Sequence, residues 1–331
     1  ALGGDFRPAG HVLDEKAFVN GIVGLMATGG STNLILHIPA MARAAGVQLE
    51  PEDFSDISAV TPLMAKVYPN GLADINHFHA AGGLGYVISE LLDAGLLHPD
   101  TKTIAGDGLA LYTQEPKLNG DLVSWQPGAH KSLNTKILRP ARDAFRPSGG
   151  LSELTGNLGR SVIKVSAVAP ERHVVKAPAR VFDGQKAVKA AFSNGEFTED
   201  TIVVVRFQGP RANGMPELHG LTPILSVLQD RGLKVALVTD GRMSGASGKV
   251  PAGIHVSPEA ALGGPLARIR DGDVLLLDAT AGTLDVMDPD ALCRPAAVVD
   301  LAAHATGMGR ELFEVFRNSV GPAPEGAATI L

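Results

Sequence analysis

The chain has 331 residues, of which 45% are hydrophobic and 19% charged, with a formal net charge of −6. That fits a soluble globular protein large enough for two domains. It argues against a nucleic-acid surface, since no basic stripe offsets the acidic balance, and no apolar run reaches the length of a membrane span.

Asp14 is placed to N-cap a helix whose apolar residues Phe18, Ile22, Val23 and Met26 recur at helical spacing, and which ends at Gly29-Gly30. Ser31 or Thr32 caps the next helix, with Leu34, Ile38 and Met41 on one face and Gly46 as its stop. GGSTN is thus a glycine turn aimed at a helix start, either a structural cap or an anion site. Pro69-Asn70-Gly71 predicts a turn, Ala73 to Ala81 a short helix, Tyr86 to Leu97 an amphipathic helix, and Thr101 to Trp125 short strand-like pieces. His77 and His79 are two apart and do not form the i, i+4 pair of a zinc helix.

RPARDAFRPSGG, within Leu138 to Gly150, has no apolar period and reads as a domain boundary. Strands are predicted beyond it at Ser161 to Val168, Val174 to Phe182, Ile202 to Phe207 and Val235 to Val238, with a hairpin over Val274 to Met287 turning at Ala281-Gly282. Helices are predicted at Gln185 to Phe192, Glu217 to Arg231 and Arg310 to Asn318.

Two strand-to-loop junctions carry the chemistry. KVALVTDGRMSGASGKVP (234 to 251) runs from a strand apolar on both faces into a loop with Gly241, Gly245 and Gly248. That loop holds Asp240, Arg242, Ser244, Ser247 and Lys249, where ligands collect outside the carboxyl ends of parallel strands. It is either such a site or a solvated glycine turn. QGPRANGMPELH (208 to 219) places Pro216 and Glu217 in a predicted first helical turn; Glu217 there is either a charge favoured by the helix dipole or a metal-ligand carboxylate.

The single cysteine, Cys293, excludes an internal disulfide and any cysteine-built zinc or iron–sulfur site made by this chain alone, and suits a reducing compartment. It reads as a buried structural thiol. The N-terminal ALGGDFRPAG lacks an initiator methionine and a signal-peptide core, so the sequence reads as a processed or truncated piece.

Taken together, VNGIVGLMATGGSTN (19 to 33), YPNGLADINHFHAAGG (68 to 83), GNLGRSVIKVSAV (156 to 168), QGPRANGMPELH (208 to 219), TDGRMSGASGKVP (239 to 251) and GMGREL (307 to 312) resemble the dihydroxy-acid dehydratase and 6-phosphogluconate dehydratase family, its phosphogluconate branch most. The resemblance implies an α/β fold: the end of an α/β cluster-binding domain over residues 1–149, then a β-barrel-like swivelling β/β/α domain over 150–331. It implies dehydration of 6-phospho-D-gluconate to 2-dehydro-3-deoxy-6-phospho-D-gluconate, with a 4Fe–4S cluster and Mg²⁺, in a cytoplasmic homodimer.

Carried over by the resemblance, Ser244 matches the serine that acts on the C2 proton and Glu217 a magnesium ligand. Ser31, Thr32 and Asn33 match a motif near the active-site cleft. Arg211, Arg242, Ser247 and Lys249 are candidates for the substrate's carboxylate and phosphate, argued from charge and loop position, and Asp240 is a further candidate substrate contact. The family's cluster cysteines and most of its magnesium ligands precede Asp14 and are not in this sequence, so the chain is expected to lack turnover alone. The alternatives are a non-catalytic fragment that binds sugar-acid phosphates, or a dehydratase of another sugar acid or dihydroxy acid.

Overall fold

The computed structural model describes residues 6–243, 249–301 and 306–330, and its backbone gathers into two units. The first holds the chain up to Gly30, Met41–Leu49 and Asp53–Gly150; the second holds Ser31–Ala40, Glu50–Glu52 and everything from Leu151. The GGSTN turn is therefore divided, with Ser31, Thr32 and Asn33 counted among the residues of the second unit.

In the first unit a short α1 (Ala9–Val12) precedes α2 (Glu15–Thr28). Asp14 caps α2 as its residue type predicts, its carboxylate accepting from Ala17 N–H at 2.9 Å. Gly29 ends the helix in the left-handed region at φ 59°. α3 (Leu34–Ala44) and α4 (Pro51–Val60) each begin in the second unit and end in the first. α5 (Ile75–Ala80) and α6 (Gly83–Asp93) share with α2 a core that includes Val23, Ala27, Phe78, Tyr86 and Leu91. α6 stops short of the predicted Leu97 because Gly95, at φ 69°, turns the chain out of the helix. Two ribbons follow: β1 (Lys102–Thr103) with β2 (Gly106–Asp107), and β3 (Gln114–Asn119) with β4 (Leu122–Pro127).

The second unit is built on a closed eight-stranded barrel in the order β10-β6-β5-β12-β11-β7-β8-β9. Its strands are β5 (Leu151–Gly156), β6 (Gly159–Lys164), β7 (Val174–Phe182), β8 (Thr201–Val205), β9 (Val235–Thr239), β10 (Ala252–Ser257), β11 (Val274–Asp278) and β12 (Thr283–Val286). β7, β8, β9 and β10 pair in parallel, with α7 (Gln185–Ser193) crossing from β7 to β8 and α9 (Thr222–Asp230) from β8 to β9, since parallel neighbours need a crossover. The β11–β12 hairpin is antiparallel and turns where Ala281-Gly282 predicts.

The apolar runs of β8 and β9 follow from burial on both faces. Ile202 and Val204 of β8, with Ala236 and Val238 of β9, belong to one core that also takes in Leu154, Ile163 and Leu277. Their alternates Val203, Val205, Val235 and Leu237 pack with Val188 of α7 and Leu225 and Leu228 of α9. Full burial of each of the valine, leucine and isoleucine side chains contributes about 1.5–3 kcal/mol.

Three differences from the sequence-based expectations bear on the site. β5 and β10 form strands that the hydrophobic pattern does not reveal. The helix expected from Glu217 begins at Thr222, because Pro223 and not Pro216 occupies its first turn. Cys293 is exposed and not the buried thiol expected; it sits in a short 3-10 turn over Pro289–Cys293 in which Ala291 is the buried residue.

Candidate functional site

The site residues gather at the carboxyl ends of β8 and β9, which are adjacent parallel strands. After β8 the chain takes a left-handed step at Phe207, φ 60°, and then forms the one-turn α8 (Pro210–Asn213). After β9 it passes Asp240 and Gly241 into Arg242 and Met243. Ser244 and Ser247 lie outside the described residues, and the described chain resumes at an exposed Lys249.

Asp240 fastens the two strand ends together. Its side chain is fully buried and accepts backbone N–H bonds from Gln208 at 2.8 Å, Ala260 at 2.9 Å and Phe207 at 3.1 Å. Burial raises its pKa above the ordinary carboxylate value, while those three donors oppose the rise. Asp240, a candidate substrate contact by its place in the loop, here has a carboxylate that serves the chain's own backbone.

Glu217 is not at a helix start. It forms an isolated parallel bridge with Arg242, and Leu218 N–H donates to the Arg242 carbonyl at 3.1 Å. Its carboxylate stands 3.4 Å from the Arg242 guanidinium, with both side chains less than a third exposed. Arg242 Nε donates to the Met215 carbonyl at 2.7 Å and Nη1 to Asn33 Oδ1 at 3.1 Å.

The STN segment reaches the same loop. Thr32 is buried and its hydroxyl donates to the Met243 carbonyl at 3.2 Å, so it does not cap α3. The carbonyl of Asn33 accepts the first turn's N–H groups from Leu36 and His37, and Ser31 Oγ accepts from Asn33 N–H at 3.2 Å. Thr32, Asn33, Glu217 and Arg242, far apart in sequence, are therefore brought together. Arg211 is tied to its neighbours by its backbone, whose N–H donates to Glu259 Oε1 at 3.0 Å and Oε2 at 3.2 Å.

Two buried ionisable groups lie beneath these loops that sequence reasoning does not single out. Glu259 is pushed up to about 7 by burial, with the Asp240 carboxylate adding to the rise. A Cβ on Gly209 would fall 1.8 Å from its Oε2, so only glycine allows α8 to approach that carboxylate. His255, on β10, is pushed down to about 3 by burial and secondarily by Arg242, and is neutral at ordinary pH. It sits at φ 58°, where the β10–β6 register shifts between Ile254 and Ser257, and its N–H donates to the Gly241 carbonyl at 2.9 Å. Among the described residues its Nε2 has no hydrogen-bond partner. A cavity of about 660 Å³ opens beside Arg242, walled in part by α10 (Leu312–Ser319) and carrying Arg310 and Arg317. The GMGREL motif was the sequence signal for Arg310.

A family model described as "Dihydroxy-acid/6-phosphogluconate dehydratase C-terminal" matches residues 136–327, and its N-terminal counterpart matches residues 2–112. The chain belongs to the dihydroxy-acid/6-phosphogluconate dehydratase family. Within this dehydratase family it is 56% identical over 327 residues to the phosphogluconate dehydratase of Pseudomonas aeruginosa, covering 98% of this chain and 54% of that protein. It is 53% identical over 330 residues to the phosphogluconate dehydratase of Escherichia coli K12, covering 99% and 55%. The dihydroxy-acid dehydratase of Sulfurisphaera tokodaii is 41% identical over 278 residues, covering 83% of this chain and 47% of that protein. The chain spans about half the length of these relatives.

The groups that the family implies can be set against the residues present. An iron–sulfur cluster needs several thiolates, and the chain has one cysteine, exposed in the barrel unit. Among the described residues no group of three or more His, Cys, Asp or Glu side chains could hold a metal ion. Glu217 is a single carboxylate already beside a guanidinium. One cysteine in the whole chain does not fit the cluster, and the described residues do not by themselves fit a magnesium site.

Proposed function

We propose that this chain supplies the barrel-borne part of the active site of a 6-phospho-D-gluconate dehydratase, a hydro-lyase forming 2-dehydro-3-deoxy-6-phospho-D-gluconate. The observation that carries the reading is the convergence of Thr32, Asn33, Glu217 and Arg242 at the ends of β8 and β9, in a chain at least half identical to several phosphogluconate dehydratases.

In this reading Ser244, as its alkoxide, takes the proton from C2, the C3–O bond breaks, the departing hydroxide takes up that proton and leaves as water, and the resulting enol becomes the 2-keto acid by losing its O–H proton and gaining one at C3. A serine hydroxyl accepts a proton from carbon only where cations favour its alkoxide, and Arg242 and Lys249 flank Ser244 in sequence. The fork of Arg242 suits the substrate's carboxylate, with Arg211, Ser247 and Lys249 as further anion contacts and Ser31, Thr32 and Asn33 shaping the cleft.

Glu217 is assigned as the carboxylate this chain would contribute to a magnesium site whose other ligands are not among the described residues. No step is assigned to the 4Fe–4S cluster or to magnesium, because the donors here do not fit them. The domain boundary is placed at residues 149–150, and the working form as a cytoplasmic homodimer; the absence of any described helix long and apolar enough to cross a membrane is compatible with this.

The test is a chimera in which this chain replaces the matching region of the Pseudomonas aeruginosa enzyme, assayed anaerobically for 2-keto acid. Turnover of 6-phosphogluconate by the chimera, lost at least a thousandfold in Ser244→Ala, is the expected result. A chimera that dehydrates only non-phosphorylated dihydroxy acids would overturn the substrate assignment. Wild-type turnover by Ser244→Ala would overturn the role of that serine.

A further inference from the structure

We propose that the β3–β4 ribbon is a self-association surface, with its outer face packing against the same face of a second copy of this chain about a twofold axis. The existence of a homodimer rests on the function proposed above; the choice of surface rests on the ribbon itself.

The register of the ribbon runs without a break from Gln114 opposite Pro127 to Asn119 opposite Leu122. Side chains alternate between faces along a strand, and directly opposed residues share a face. One face therefore carries Gln114, Pro116 and Leu118 of β3 with Pro127, Trp125 and Val123 of β4, and none of these is charged. The other face carries Glu115, Lys117, Asn119, Ser124 and Gln126, with Leu122 at the tip. A ribbon with one apolar face ordinarily turns it to the core. This ribbon is mounted the other way. Its polar face is the one partly buried, at Glu115 and Ser124, while Leu118, Trp125 and Val123 remain 76%, 63% and 61% exposed. The base of the ribbon is closed, since Gly128 N–H donates to the Thr113 carbonyl at 3.0 Å. A Cβ on Gly128 would fall 2.6 Å from that oxygen, so the two strands leave their base in close backbone contact.

The chemistry of the face selects its partner. Without charge it has no complement in an acidic or basic surface, whereas a patch that is apolar throughout matches itself across a twofold axis. Pro116 and Pro127, one on each strand, have no N–H to donate to an added strand. They blunt growth along the edges of the ribbon and leave its face as the way to associate. Trp125 lies opposite Pro116 and on the same face as Leu118 and Val123, the setting of an interface anchor. Covering the six side chains removes on the order of 500 Å² of surface from each copy. Two copies together then bury about 1,000 Å², the area at which a specific interface begins.

Trp125 is the chain's single tryptophan, so its fluorescence reports on this face alone. The experiment is sedimentation of the full 331-residue chain from about 0.1 to 100 µM, with Trp125 emission and acrylamide quenching read on the same samples. We expect a closed monomer–dimer equilibrium in which the emission moves to the blue and quenching falls as the dimer forms. Leu118→Thr/Val123→Lys, which spares Trp125, should weaken the dimer at least tenfold. Gln126→Glu, on the opposite face, should match wild type. Should the double variant lose its fold, single cysteines in a Cys293→Ser background decide. Leu118→Cys or Val123→Cys should then cross-link two copies on oxidation, and Gln126→Cys should not.

A dimer in which Trp125 stays as open to quenching as in the monomer, or which survives the double variant, would overturn the face and leave the homodimer standing. Open-ended oligomers in place of a closed dimer would also overturn it. A wild-type chain that is monomeric at every concentration would overturn both the face and the homodimer, while the dehydratase assignment is decided separately by turnover of the chimera. In that chimera the double variant should lower the mass of the assembly. An unchanged mass with a lowered melting temperature would show that another segment of the same polypeptide covers the ribbon, and would overturn the proposal.

Discussion

Arg242 donates to Asn33 Oδ1 at 3.1 Å across 209 residues of sequence, while its Nε holds the Met215 carbonyl at 2.7 Å. One guanidinium thus joins the start of α3, the loop after β8 and the loop after β9. Hydrogen bonds from a charged donor are worth about 1.5–3 kcal/mol. Arg242→Lys, which cannot reproduce the fork, should therefore destabilise the chain by about 1–3 kcal/mol, seen as a lower urea midpoint at constant slope. Asn33→Ala should cost about 0.5–1.5 kcal/mol, and less than that once Arg242 has been replaced, because the two share one bond. Strict additivity in that cycle would mean that the bond does not form in solution.

Much of this arrangement is legible in the sequence where local chemistry dictates geometry. Asp14 announces its cap and Gly29 its stop, the doubly apolar runs at β8 and β9 announce parallel strands, and Ala281-Gly282 announces the hairpin. What escapes is set by partners distant in sequence. β10 hides behind Gly253 and the left-handed His255, which break the alternation that betrays a strand. Thr32 looks like a helix cap but bonds to Met243, a residue 211 positions away. Asp240 looks like a loop ligand until the N–H groups of Phe207, Gln208 and Ala260 are seen to surround it. Arg317 carries no local signal at all, since only the fold sets it in the same cavity wall as Arg242.

The role of Asp240 is separable from that of a substrate contact. In Asp240→Asn one acceptor oxygen becomes an amide donor facing backbone N–H groups, which leaves buried donors unsatisfied. The expected loss is about 2–4 kcal/mol in urea unfolding, with no ligand present. A residue that merely touched substrate would leave that stability unchanged, so an unaltered midpoint would return Asp240 to the list of ligand contacts.

The last prediction concerns pH and sets two buried groups against each other. His255 falls from 6.5 to about 3 in the folded chain, so between those values the unfolded state binds a proton that the folded state does not, and stability rises with pH. Glu259 rises from 4.5 to about 7, so between those values the folded state holds a proton that the unfolded state has lost, and stability falls with pH. Each slope approaches about 1.4 kcal/mol per pH unit. From 4.5 to 6.5, where both windows overlap, the two contributions oppose and nearly cancel in wild type. Glu259→Gln removes the falling slope, so its stability relative to wild type should climb with pH from 4.5 to 7. His255→Asn, which asparagine's tolerance of positive φ makes feasible, removes the rising slope, so its stability relative to wild type should decline over pH 3 to 6.5. Urea unfolding of the three proteins at half-unit pH steps measures both differences, and groups common to all three drop out. Parallel profiles for wild type and Glu259→Gln would show that the bonds from Arg211 N–H keep Glu259 ionised against the cost of its burial.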